Sequence, residues 1–145
     1  MSAEQYRINF FSETDFTLRD EKSHRQWLQL VVNSEEKSLD EINFIFCNDE
    51  YLHRINLEYL NHDTYTDIIS FDNSVDDLLA GDIFISVERI KENAEDFGVE
   101  FEEEVKRVMV HGILHFCGYT DKSESQSRLM RQKEDEKIAM FHVEQ

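Results

Sequence analysis

The chain of 145 residues contains no proline, four glycines and two cysteines, and its 15 Lys and Arg face 32 Asp and Glu for a formal net charge of −17. Most of these shortages exclude something. Two cysteines, Cys47 and Cys117, are too few for a disulfide framework, so a reducing compartment and a cytoplasmic location are expected. The deficit of cations excludes a broad surface that coats nucleic acid, because phosphate binding needs clustered Lys and Arg. No DNA partner is expected. The deficit still allows a small basic or metal-centred cleft on an acidic body. No apolar run approaches the roughly 18 residues of a membrane span, so no membrane partner is expected. Residues 1–10 lack the basic and then apolar order of a secretory signal. The missing proline carries no mechanism.

What is present argues for a folded core. Eleven Phe, five Tyr and a Trp give too much apolar surface for a disordered chain. The length fits a single domain spanning residues 1–145. The acidic clusters Glu35-Glu36, Asp76-Asp77, Glu102-Glu103-Glu104 and Glu134-Asp135-Glu136 read as solvated faces that maintain solubility.

Periodicity places the elements. Tyr6, Ile8 and Phe10 alternate with polar residues as in a strand. Ser23 and Gln26 form a capping-box pattern that opens a helix with Trp27, Leu28 and Val31 on one face, running to about Val32. Residues 42–46 read as a strand, and Asn48 as the cap of a helix through Leu60 with Leu52, Ile55 and Tyr59 inward. Strands follow at 68–71 and at 82–86, the latter set up by Gly81. A helix carries Val87, Ile90, Ala94 and Phe97 at helical spacing and stops at Gly98. The next helix starts near Phe101 with three glutamates where the dipole favours them, and is apolar nearly all round. Ser123 and Gln126 open a last helix with Leu129, Met130 and Ile138 inward. The sum is an α+β (mixed α/β) domain, a small four-stranded sheet packed by about five helices.

Residues 111–121 carry the chemistry. His111 and His115 are i and i+4 on the buried helix, so two imidazoles on one face converge on one ion. Gly118 takes a left-handed conformation that stops the helix, and the chain turns back to bring Asp121 toward the same point. Two nitrogens and one carboxylate leave a fourth position for water, the ligand count of a catalytic zinc site. Cys117 falls off the ligand face and reads as a small core residue. His24, His53, His62 and His142 have no matching spacing.

The segment reads H-G-I-L-H-F-C-G-Y-T-D and resembles the YbeY family signature H-G-x-L-H-x-x-G-Y-D-H. Upstream, Thr66-Asp67-Ile68-Ile69-Ser70-Phe71 is similar to the family's T-D/N-V-L-S-F, and Gly81-Asp82-Ile83 to its G-D-I. The resemblance implies a metzincin-like fold, a bound zinc ion, and cleavage of small-subunit rRNA during ribosome assembly. Its partners would be rRNA within ribosomal particles and ribosomal or assembly proteins. The chain departs from the signature twice. Asp121 stands where the family has its third histidine ligand, with Thr120 before it, a set that acidifies water less and makes other divalent ions more plausible. Leu60 stands, by spacing, where the family carries an arginine. Arg54, Arg107, Arg128 and Arg131 read as ordinary surface charges.

These features predict a metal-dependent endoribonuclease with His111, His115 and Asp121 as ligands and Asp67 as a candidate group for orienting substrate or water. The repulsion of a polyanion by −17 charges predicts weak intrinsic cleavage and presentation of RNA by the ribosome. A zinc peptidase is the first alternative. It is disfavoured because Gly112 occupies the position of the general-base Glu in H-E-x-x-H, where it is expected to leave room for substrate. The second alternative is a non-catalytic assembly factor with a structural metal.

Overall fold

A computed structural model describes residues 7–143. The order is β1 (Ile8–Ser12), α1 (Glu21–Ser34), β2 (Ser38–Cys47), α2 (Asp49–Leu60), β3 (Ile68–Asp72), β4 (Leu78–Ser86), α3 (Val87–Phe97), α4 (Phe101–Phe116) and α5 (Glu124–Val143). The sheet order is β1-β2-β4-β3. β1 and β4 flank β2 in parallel, and β3 closes the edge antiparallel to β4. This is the α+β arrangement the sequence predicts.

Strand alternation sorts side chains onto two faces. Ile42, Phe44 and Phe46 of β2 join Leu79, Ile83 and Ile85 of β4 in the main core, with Trp27, Leu28 and Val31 of α1 and Val108, Met109 and Ile113 of α4. On the opposite face Leu52 and Ile55 of α2 pack on Cys47 and Ile69, with Phe71 and Phe84 at the margin. Helix α4 thus lies against the sheet on one side and α5 on the other, which fixes the level at which its histidines emerge. Gly81, inside β4, permits that approach. A Cβ there would collide with the Phe71 carbonyl oxygen and stand 2.8 Å from the Phe116 ring at the end of α4.

Several expectations change at the level of side chains. Helix α1 is capped by Asp20, whose carboxylate accepts the Ser23 N–H at 3.3 Å, so Ser23 lies inside the first turn. The Ser123–Gln126 capping box forms as read: Gln126 N–H donates to Ser123 Oγ at 3.1 Å, and Ser123 N–H to Gln126 Oε1 at 3.2 Å. Strands β2 and β4 begin earlier than their apolar runs, because the ladder continues through Leu39↔Leu79 while alternate side chains face solvent. Tyr59 is exposed and edges onto Phe71, since α2 covers only part of its sheet face. Leu129 is also exposed, because the inward stripe of α5 runs Met130, Glu134, Lys137, Ile138 and Phe141, one residue out of phase with it. The Tyr6 position of the first strand lies outside the described residues.

That stripe contains charged residues. Lys137 is 2% exposed; its Nζ donates to Ser34 Oγ at 2.8 Å and pairs with Glu35 Oε2 at 2.9 Å, while its carbonyl accepts the Trp27 Nε1–H at 2.7 Å. Glu35 also accepts the Tyr119 hydroxyl at 2.9 Å. Glu35, Glu104 and Glu134 are therefore not solvated faces. Each lies at a helix packing seam, where the neighbouring element removes water.

Candidate metal centre

The i, i+4 spacing on α4 does what helix geometry requires. His111 Nε2 and His115 Nε2 stand 3.1 Å apart, with ring centroids at 4.6 Å. Helix α4 ends at Cys117 and Gly118, whose φ is 108°. The turn returns Asp121 so that its Oδ2 lies 3.6 Å from His111 Nε2 and its Oδ1 3.9 Å from His115 Nε2. The three ligand atoms fall within 4.8 Å of one another. Among the described residues this is the group of His, Cys, Asp and Glu side chains arranged to hold a metal ion.

The donor chemistry fits a cation. His111 Nδ1 lies 2.6 Å from Glu134 Oε2, a contact that favours the ring proton on Nδ1 and leaves Nε2, turned toward His115 and Asp121, to offer its lone pair to a cation. A carboxylate behind a metal-binding imidazole fixes its tautomer and raises its basicity. Burial pulls the His111 pKa down, but the hydrogen bond and charge of Glu134, with Asp121 and Asp67, outweigh it and leave it raised. Burial and the neighbouring His111 hold the His115 pKa below its usual value, and a backbone hydrogen bond with Tyr119 steadies that ring. A half-buried imidazole pair, one of them biased to stay neutral, beside an exposed carboxylate is a set of electron-pair donors converging on one point.

Glu134 and Arg107 lie behind His111, and neither was expected there from the sequence. Arg107 Nη1 binds Glu134 Oε1 at 3.0 Å and its Nη2 binds Asp135 Oδ1 at 2.7 Å, with the Arg107 and Glu134 side chains only 13% and 6% exposed. Arg107 is therefore not a surface charge. The signal for it was its position four residues before His111, on the same helical face. Glu134 gave no such signal, because the packing of α5 on α4 brings it in from 23 residues away.

Asp67 sits just before β3, where its carboxylate accepts the Asn93 Nδ2–H at 3.3 Å and its carbonyl accepts the Ser86 N–H at 2.9 Å. One cavity of about 420 Å³ has Asp67, Glu104, Arg107, His111, Asp121 and Glu134 in its wall, so the structure brings Asp67 to the same space as His111 and Asp121. Leu60, at the end of α2, is not part of that wall. Cys117 packs half-buried against the core, and burial with the Glu35 charge pushes its thiol up to about 11, which keeps it a thiol at neutral pH.

Gly112 differs from expectation. It faces the sheet and opens no space for substrate: a Cβ there would stand 2.8 Å from Ile83 Cδ1 and 3.3 Å from Ile68 Cδ1. The helix therefore lies too close to β4 and β3 for a glutamate at this position. Gly112→Ala should destabilise the protein by about 1–3 kcal/mol, the usual cost of overpacking a core. Chemical denaturation of the two proteins checks this, and an unchanged midpoint would mean that the Ile83 side chain or the helix yields to the added methyl without cost.

Comparison with known proteins agrees with this geometry. The sequence profile described as Endoribonuclease YbeY matches residues 8–142. A Christiangramia forsetii protein named Endoribonuclease YbeY is 62% identical over 142 residues, covering 98% of this chain and 99% of its own length. A Flavobacterium johnsoniae protein of the same name is 65% identical over 138 residues, covering 95% and 99%. The solution structure of a Thermotoga maritima protein, 24% identical, superposes with a TM-score of 0.68 over 94% of this chain and 90% of that one, which establishes the shared fold. With its signature residues gathered at one point and the match running almost end to end, the chain belongs to the YbeY family.

Proposed function

We infer that this chain is a metal-dependent endoribonuclease that cuts single-stranded RNA, with His111, His115 and Asp121 as the metal ligands and zinc as the ion. The observation that carries this reading is the convergence of two imidazole Nε2 atoms and one carboxylate, with Glu134 Oε2 2.6 Å from the far nitrogen of His111. The relatives' name supplies RNA as the substrate class. A divalent ion held there supplies the Lewis acidity that lowers the pKa of water and polarises a phosphoryl oxygen.

The chain's own residues supply the rest. Glu134 keeps His111 in the tautomer that presents Nε2, and Arg107 holds Glu134 in place. Asp67, anchored by Asn93 on the cavity wall, orients substrate or water. The aspartate in place of a third histidine lowers the net charge of the loaded site, which makes it tolerant of other divalent ions. The chain works as one domain in the cytoplasm, on small-subunit rRNA within ribosomal particles, where ribosomal or assembly proteins offset the repulsion between RNA and a body of net charge −17. No helix of the described residues is long and apolar enough to cross a membrane.

The peptidase reading loses support from the packing of Gly112, since the position that carries the general base in H-E-x-x-H is pressed against Ile83. The test is chelation and reconstitution. Protein stripped with a chelator should lose cleavage of an unstructured oligoribonucleotide, and stoichiometric zinc or manganese should restore it. Cleavage that survives complete stripping would refute the metal-dependent reading, and chelator-sensitive hydrolysis of casein without RNA cleavage would favour the peptidase.

A further inference from the structure

The cavity beside His111 and Asp121 extends toward the end of α3 and the N-terminal half of α5. Val87, Ile90, Ala94 and Phe97 form the inward stripe of α3, and Ile90 and Ala94 are 1% and 4% exposed. Phe97 continues that stripe yet is 57% exposed, because the cavity occupies the place where a covering element would lie. The guanidinium carbon of Arg131, on α5, sits 5.9 Å from the centre of the Phe97 ring. Both side chains line the same cavity as His111 and Asp121.

Charge separates the two arginines of this cavity. Arg107 is committed to Glu134 and Asp135. Arg131 makes no ion pair among the described residues, although its charge acts on buried Glu104 across the cavity. An anionic substrate approaching this acidic wall needs a cation that is not already neutralised. An aromatic face beside a guanidinium is also the pairing by which single-stranded RNA is held, the base stacked on the ring and the phosphate on the N–H edge.

We propose that Phe97 and Arg131 form a nucleotide subsite for single-stranded RNA, in which a base next to the scissile phosphate stacks on the open face of Phe97 and Arg131 contacts the adjoining phosphate. This rests on the endoribonuclease reading and adds to it the residues that grip the flanking nucleotide. The two are positioning residues, since they stand away from the ligand atoms. Their effect therefore falls on KM more than on kcat.

The test uses metal-loaded protein and an unstructured oligoribonucleotide carrying 2-aminopurine, with a matched oligonucleotide that has one abasic site. Phe97→Ala should raise KM about tenfold, in line with the loss of one stacked base, while kcat falls less than threefold. Metal content and melting temperature should not move, because Phe97 is exposed. Phe97→Trp should restore the KM. Arg131→Gln should raise KM by a similar factor and flatten its dependence on salt. The wild-type protein should bind the abasic oligonucleotide more weakly by the same factor, and Phe97→Ala should no longer distinguish the two. Binding should quench 2-aminopurine with the wild-type protein and not with Phe97→Ala, whether or not cleavage occurs. Quenching lost in Phe97→Ala without any cleavage by the wild type would keep the subsite and overturn the nuclease reading. Cleavage with an unchanged KM and unchanged quenching in Phe97→Ala would overturn the subsite and keep the nuclease. No RNA binding by the wild type would overturn both.

Discussion

Replacing His115 with alanine should abolish metal retention and RNA cleavage together. The variant should carry less than a tenth of the metal of the wild type by elemental analysis, and its cleavage of single-stranded RNA should fall more than about a hundredfold, beyond the loss typical of an outer partner of a ligand. The reason is geometric. His115 Nε2 faces His111 Nε2 at 3.1 Å, and Asp121 is 44% exposed on its side chain. With one imidazole gone, the remaining pair includes a carboxylate on a turn that water reaches freely. His62→Ala, on the exposed turn after α2, should match the wild type in both measurements. Asp121→Asn should be milder, since the amide oxygen still donates without the charge. RNA cleavage that persists in a metal-free His115→Ala protein would contradict the enzymatic reading, and a melting temperature that falls while cleavage persists would identify a structural metal instead.

The second large effect is on stability. Arg107→Ala should destabilise the metal-free protein by about 3 kcal/mol, because it leaves the carboxylate of Glu134 nearly buried beside a single imidazole. For a chain of this length that is a fall of roughly 10 °C in melting temperature. An ordinary surface arginine would move stability by less than about 0.5 kcal/mol. The double variant Arg107→Ala with Glu134→Gln should recover part of the loss, since a neutral amide needs no charged partner. Glu134→Gln alone should weaken metal binding roughly 10–100-fold, because the amide no longer stabilises the proton on His111 Nδ1 as a carboxylate does. Thermal denaturation with and without zinc separates the two effects. A thermal midpoint for Arg107→Ala within 2 °C of the wild type would show that Glu134 is adequately solvated by other means.

These two expectations had different visibility. His111, His115, Gly118 and Asp121 were legible because the geometry that joins them is local. A helix places residues four apart on one face, and a glycine that ends it lets the chain fold back within a few residues. The four strands and five helices were legible for the same reason, through alternation and helical spacing. Errors came where exposure depended on a distant element. Tyr59 and Leu129 have the right residue type for a core and lie where no neighbour covers them. Glu134 and Glu104 have the wrong type and lie where a neighbour does.

The amino-acid order alone thus pointed to His111, His115 and Asp121 as one cluster, to the chain reversal that gathers it, and to the family whose signature it resembles. Tertiary structure decided what surrounds that set: Glu134 and Arg107 behind His111, Asn93 behind Asp67, and the closeness of Gly112 to the sheet. The division follows from range. Spacing along one helix is dictated by backbone geometry, whereas the partner of a side chain 23 residues away is set by how two helices and a sheet exclude water between them, and no pattern within a single element encodes that.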